Sequence, residues 1–405
     1  MSASTLESNA SYVAACKSLR NHRHSLRRVA GYLLPAERVK GCGRKRHSQT
    51  VDVHRSARGA HFTGVETCGS VWHCPVCAAR IAELRREEVA QVIEGAHEMG
   101  GAAYMATLTM RHDRADELAF LKTAIADSWR RVQNRRAYRT FKAQYGVLGT
   151  IRAIEVTHGN ANGWHPHLHV LFVTKQILDD IQIVEVRELL FELWSNVLAS
   201  FTGRYVALDA FDFRPALASD YVTKWGADRE LVKGQEKQGT GSRSPWQLLS
   251  DFEAGDKRAG KLFKEYAHVF KGAQQLTWSK GLKADFKVGE VSDEEAAVSH
   301  TEVDETTLPD QADLPEGRIG VLDKETFDEV VRLNLTAAVL DAAHTGGWAA
   351  VLSLLRKHGL KPKWPHSNQL EPHEPPPKET PGFEQWFQCQ KLKGVEFAQA
   401  ISDSE

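Results

Sequence analysis

Several things are scarce in this chain, and each scarcity excludes something. It has 6 cysteines in 405 residues, too few for a small scaffold stapled by disulfides. It has no excess of either charge, with 52 basic and 52 acidic side chains, so bulk charge alone assigns no partner. No run of about 18 apolar residues reads as a membrane span. The opening "MSASTLESNA" lacks the basic and apolar regions of a secretory signal, so an intracellular, cytoplasmic and reducing setting is expected, without a membrane partner. What remains is ordinary globular composition, 42% hydrophobic and 26% charged, in a length that suits two domains or one large domain with an appendage.

The zero net charge hides an asymmetry. Residues 291–405 hold 10 Lys and Arg against 21 Asp and Glu, so residues 1–290 carry a surplus of 11 positive charges. Residues 17–58 have 12 Lys and Arg against only Glu37 and Asp52, with "RKRH" at 44–47. Such a density suits a polyanion, because each neutralised phosphate releases condensed counterions. The other reading is a solvated, disordered basic arm.

Hydrophobic period and turn chemistry give a coarse map. "AAYMATLTM" (102–110) reads as a buried strand, and about 115–143 as a helix with an apolar line through Leu118, Leu121, Ile125, Trp129 and Val132. "TIRAIEVT" (150–157) and 164–173 read as the arms of a hairpin closed by "HGNANG". A helix at about 178–200 and a strand "YVALDAFDF" (205–213) follow, and Pro215 is placed to open a short helix, "PALASDYVTKWG". The order β-α-β-β-α-β-α fits an α+β fold, a split βαβ antiparallel sheet with helices on one face. The expected division is 1–89 (basic arm and Cys cluster), 90–230 (core), 231–290 (accessory DNA-binding or core extension), 291–320 (acidic linker) and 321–405. That last part reads as a helical pair broken at "HTGG", then a Pro-rich tail.

Three constellations carry chemistry. Cys68, Cys74 and Cys77 form a C-x5-C-x2-C run whose C-P-V-C turn presents two thiolates to one ion. A closed structural zinc site wants four ligands. Cys42 in "GCGRK" is the natural fourth, with His61 or His73 as substitutes. A redox C-x-x-C would normally begin a helix after a strand of a thioredoxin-like unit, a context missing here, and Cys16 and Cys389 read as ordinary thiols.

The second is "NGWHPHLHVLFV" (162–173). On a strand, His165, His167 and His169 share a face, where three imidazoles with few partners would be costly to bury. A divalent ion removes that cost. A hairpin in which paired residue numbers sum to 322 sets Glu155 opposite His167, and His158 is near enough in sequence to approach. Two imidazoles and a carboxylate with open positions describe a catalytic ion rather than a structural one.

The third is "SDYVTKWG", where Tyr221 and Lys224 share a helix face. A phenol with pKa about 10 needs activation to act as a nucleophile. Lys224 offers a cation and Asp220 a base.

Taken together, "ATLTM" (106–110), "HPHLHVLF" (165–172) and "YVTKW" (221–225) resemble the motifs of the rolling-circle replication initiators of bacterial plasmids, in the HUH endonuclease superfamily. The upstream Cys knuckle is similar to that of one subfamily, and the likeness runs from about Cys42 to Lys283. The resemblance implies that His167 and His169 hold Mg²⁺ or Mn²⁺. It implies that Tyr221 attacks a phosphodiester at the plasmid origin, leaving a 5′-phosphotyrosyl link and a free 3′-OH, and that strands are later rejoined. Host helicase and DNA polymerase are then partners, and a homo-oligomer is compatible. Arg44, Lys45, Arg46, Arg135 and Arg136 are the candidate DNA contacts.

One position departs from the pattern: Leu217 stands where the subfamily commonly has a glutamate that activates water at termination, with Asp220, Asp209 or Asp212 as replacements. Thr107 and Thr109 are expected only to shape the sheet floor. A relaxase would place its tyrosine before the histidines, and a two-tyrosine HUH transposase would want tyrosine where Trp225 stands. A non-catalytic zinc-containing DNA-binding regulator leaves the histidine stripe unexplained.

Overall fold

The structure, a computed structural model, describes residues 19–56, 59–216, 242–299 and 317–361. Its framework is mixed α/β with two antiparallel sheets. The larger sheet has the order β6-β3-β5-β4-β7, from β3 (Ala102–Leu108), β4 (Val147–Gly159), β5 (Gly163–Thr174), β6 (Asp212–Pro215) and β7 (Ser242–Arg243). A further strand, β8 (Leu276–Trp278), also pairs with β4.

Strand alternation decides what covers each face. On β5, Leu168, Val170 and Phe172 point into the main core with Leu121, Ile125 and Trp129 of α3 (Leu118–Gln133) and Trp194 of α5 (Asp180–Thr202). The opposite face carries Leu171 and Val173 at one end, and these pack on Val89, Val92 and Ile93 of α2 (Pro75–Glu98). Helices therefore lie on both faces, not on one as the strand order suggested, because that face is apolar at one end and needs a cover. Val92 and Ile93 are fully buried, each stabilising the fold by about 1.5–3 kcal/mol.

Local signals set the helix limits. Asp179 and Gln182 form a capping box at the start of α5, and Gly203 ends it with φ 68°. The helix expected over about 115–143 breaks at Asn134 and resumes as α4 (Arg136–Gln144). Pro215 does not open a helix: it is the last residue of β6, opposite Tyr104. Proline is tolerated there because β6 is an edge strand whose outer side needs no N–H partner. Residues 205–211 hold a 3-10 turn, Leu208–Ala210, in place of most of the expected strand.

The smaller sheet joins segments far apart in sequence. Its order is β2-β1-β9, with β1 (Thr50–Ser56), β2 (Gly59–Thr63) and β9 (Gly317–Asp323). It packs on α10 (Lys324–Arg332) and α11 (Thr336–Lys357) through Val51, Val53, Leu322, Phe327, Val339 and Leu340. Although α11 is long and apolar enough to cross a membrane, Val339, Leu340, Val351 and Leu355 are buried in this core. At "HTGG" it kinks, with Gly347 at φ 61°, a conformation open to glycine.

The basic N-terminal stretch is not a disordered arm. Residues 19–33 form helix α1, and Arg20, Arg23 and Arg27 are buried. Arg20 pairs with Asp341 of α11 at 2.6 Å, so much of this charge serves internal packing. In the acidic stretch, Asp293–Ser299 is a short helix docked on α2, with Arg85 holding Asp293 at 2.8 Å.

Candidate active site and metal centres

The hairpin register matches the expected sum: Glu155 pairs with His167, Ala153 with His169 and Thr157 with His165. Glu155 Oε2 lies 3.2 Å from His167 Nε2 and 3.4 Å from His169 Nε2. Burial raises the Glu155 carboxyl pKa, but hydrogen bonds from His167 and His169 outweigh it and hold the group well below the usual carboxylate range. The ligand atoms of Glu155, His167 and His169 all lie within 4.8 Å of one another, and adjacent donors round a six-coordinate Mg²⁺ lie about 3 Å apart. The three residues fit a divalent ion. Their side chains keep 25%, 14% and 8% of their exposure, so the group opens to solvent.

His165 shares the face but not the group. Its Nδ1 lies 2.6 Å from His112 Nε2, and His112 Nδ1 lies 2.9 Å from the Asn162 carbonyl oxygen. Burial first, then the nearby His167 and His112, lower the His165 pKa to about 4. His158 points the other way: it is buried on the opposite face of β4, edge-on to Trp164, because 155 and 158 differ in strand parity. That removes it from any metal set with Glu155.

Sequence reasoning missed two neighbours. Thr107 was expected only to shape the sheet floor, yet its Oγ1 lies 3.3 Å from His169 Nδ1, where it fixes the ring's orientation. The signal was available, since "ATLTM" pairs with the histidine strand. His112, in the turn after β3, had no signal. Thr109 donates to the Ala210 carbonyl at 3.1 Å, a structural contact. In the sheet row, Ala153, His169, Thr107 and Asp212 lie side by side across β4, β5, β3 and β6. Asp212 shares that row and pairs with Arg214 at 3.0 Å; Asp209 is exposed in the 3-10 turn. Leu217, Asp220, Tyr221, Lys224 and Trp225 lie outside the described residues, as do Cys16 and Cys389.

The second centre is closed. Cys42, Cys68, Cys74 and Cys77 are all buried, with sulfurs 3.6 Å apart for Cys42 and Cys77, 3.6 Å for Cys68 and Cys77, and 3.8 Å for Cys42 and Cys74. A tetrahedral ion with Zn–S bonds of about 2.3 Å requires edges of about 3.8 Å, and a disulfide would need about 2.05 Å. The set fits zinc. Cys74 caps α2 and accepts from the Cys77 N–H, with Pro75 at the first helical position. Hydrogen bonds from Cys68, Cys74 and Cys77 pull the Cys42 pKa down, while burial pushes that of Cys74 up. His73 Nε2 instead lies 3.0 Å from the Ala267 carbonyl oxygen, and His61 stacks on His54. Neither replaces Cys42.

Of the candidate DNA contacts, Lys45 is paired with Glu66 at 2.5 Å and Arg46 with Asp328 at 2.9 Å. Arg44, Arg135 and Arg136 are exposed.

One α/β chain thus carries an open carboxylate–imidazole group and a closed four-thiol cluster, the class of a protein with two candidate metal centres of opposite design. Comparison gives the family: residues 61–314 match the replication protein family, and the chain belongs to it. A "Protein rep" of Streptomyces lividans is 38% identical over 58% of this chain and 66% of its own length. A "Neomycin resistance protein" of Streptomyces cyanogenus is 32% identical over 29% of this chain and 32% of its own. A "Protein rep" of Streptococcus pneumoniae is 28% identical over 25% of this chain and 31% of its own. The matched segments span two thirds or less of these curated relatives. No solved structure matches.

Proposed function

We propose that this protein initiates rolling-circle replication of a bacterial plasmid, in the cytoplasm, by nicking one origin strand with Tyr221 in an HUH-type core over residues 90–230. The observation that carries the reading is the open Glu155–His167–His169 group on one sheet face, in a chain of the replication protein family.

His167, His169 and Glu155 would hold the divalent ion, Mg²⁺ or Mn²⁺, which when bound offsets negative charge on a phosphate oxygen during transfer. Thr107 orients His169 from behind, and His112 braces His165 at the rim. The Tyr221 phenolic oxygen attacks phosphorus, the P–O3′ bond breaks, and the 3′ oxygen leaves as a hydroxyl after taking a proton. Lys224 and Asp220 are the proposed cation and base for the phenol. The 3′-OH primes synthesis by host polymerase behind a host helicase, and the tyrosyl link preserves the bond energy for rejoining. Zinc in the Cys42–Cys68–Cys74–Cys77 set would brace the fold. Arg44, Lys45, Arg46, Arg135 and Arg136 are proposed to contact DNA. Asp212, in the His169 row, is the proposed base for water at termination.

Purified protein with supercoiled plasmid bearing the candidate origin should relax it and form a covalent protein–DNA adduct with Mn²⁺ but not with EDTA. Tyr221→Phe should do neither. Unchanged nicking by that variant would remove Tyr221 from the mechanism.

A further inference from the structure

One group of basic side chains gathers around a pocket. Arg27 and Arg28 of α1, Arg44 of the Cys42 loop, and Asn334 and Thr336 at the start of α11 line a pocket of about 60 Å³, roughly the space of two water molecules. Among the described residues none of the three guanidiniums has a carboxylate partner. Arg27 meets His24 Nδ1 at 3.3 Å, Arg28 meets the Ser25 hydroxyl at 3.0 Å, and among the described residues the Arg44 guanidinium has no hydrogen bond or ion pair. Arg27 is 95% buried, and its Nε has no hydrogen-bond partner.

The thiol of Cys42 lies on one side of Arg27, but Arg28 and Arg44 have no carboxylate among the described residues, and the three guanidiniums repel one another across the pocket. Desolvation, then the charges of Arg27 and Arg28, depress the Arg44 pKa. Folding tolerates that repulsion where an anion relieves it. The fourth wall is a helix terminus with the right polarity. Leu335 gives α11 no side-chain cap, and the first-turn N–H groups of a helix have no acceptor within the helix itself. Ten residues run from Thr336 to the kink at Gly346. Thr336 adds a hydroxyl, 3.1 Å from His24 Nδ1. Two acids near the pocket are engaged elsewhere: Glu253 accepts from the Ser25 hydroxyl at 2.5 Å and Glu66 pairs with Lys45.

We infer that this pocket binds one phosphate of the DNA backbone, gripping duplex DNA flanking the nick without reading its sequence. The inference rests on the replication reading above and gives the C-terminal helices a role in it. The pocket exists only where α11 meets α1, and Gly43 at φ +63° lets the Cys42 loop approach Arg27. An added Cβ there would fall 2.1 Å from Arg27 Nη1. Bidentate geometry makes arginine the fitting residue for phosphate.

Arg27 also faces the thiol cluster, so the test uses Arg28→Ala with Arg44→Ala in the full chain. Binding of fluorescent 30-base-pair duplexes, with the origin flank and with scrambled sequence, is measured across a range of salt. The double variant should bind both duplexes about equally more weakly than wild type. Its slope of log affinity against log salt should fall by about 2, while its thermal midpoint without DNA stays unchanged or rises. An unchanged slope in a variant that folds normally overturns the pocket while leaving the replication reading intact. Wild type that binds neither duplex overturns both. A parallel arm with inorganic phosphate separates a free anion from DNA: a phosphate-dependent rise in midpoint lost in the variant, with duplex binding unchanged, assigns the pocket to a small anion and refutes the DNA assignment.

Discussion

The two metal-type centres differ in almost every respect that burial controls. The cysteine set draws its four sulfurs from three separate segments, and each is buried. The Glu155–His167–His169 set comes from one hairpin and keeps an open side. The contrast teaches that the first site is part of what holds the chain together, whereas the second is displayed by a sheet already held by its own core.

Substitution should therefore split them sharply. The largest effect is expected from His167→Ala with His169→Ala against Cys74→Ser. The histidine variant should lose metal-dependent nicking while keeping a cooperative thermal transition. The cysteine variant should lose the transition itself, since a structural zinc site contributes folding energy on the scale of the whole stability of about 5–15 kcal/mol. Equal loss of structure in both, read by circular dichroism, would erase the distinction. Next in size, Thr107→Val removes the partner of His169 Nδ1. A lost supporting hydrogen bond behind a ligand should weaken Mn²⁺ affinity about 10–100-fold, with zinc content unchanged; an unaltered Mn²⁺ titration would return Thr107 to the sheet floor.

A smaller effect separates histidines by face. Burial first, then the Arg243 and Arg258 charges, lower the His158 pKa to about 4. The folded-state value lies below the unfolded one of about 6.5, so the unfolded chain binds more protons in between. The contribution is full above about pH 6.5 and is lost as pH falls toward 4, by at most about 3 kcal/mol. His158→Gln should flatten that acid limb in denaturation at pH 4–7; an unchanged limb would show that His158 does not set it. Smallest of all, Arg46→Gln breaks the rim pair with Asp328 and should cost about 1 kcal/mol or less. A larger loss of midpoint would mean that the pair helps clamp α10.

Local chemistry was legible in the sequence where it depended on spacing. Glu155 opposite His167 followed from strand parity and loop length, and Cys42 as fourth ligand from its glycine-flanked place upstream of the C-x5-C-x2-C run. Long-range partners were not legible. Nothing at Thr50 announces Asp323 as its neighbour, and nothing in the helix at 19–33 announces that Arg20 will meet Asp341. The arginines read either as a polyanion-binding surface or as solvated charge, because composition reports how many there are and not which way α1 turns. The one-face reading of the helices failed for a related reason: α2 precedes the strands that were counted, and only Leu171 and Val173 betray the need for it.

The order β2-β1-β9 has a consequence for how the molecule is made. Strand β1 gains its second neighbour only after residue 323 has left the ribosome, some 270 residues behind it, whereas every described strand of the histidine-bearing sheet has emerged by Trp278. During synthesis the histidine-bearing sheet can close while the N-terminal strands still wait with a bare edge. A nascent or prematurely ended chain would thus possess the Glu155–His167–His169 face before it possesses the completed clasp between its two ends.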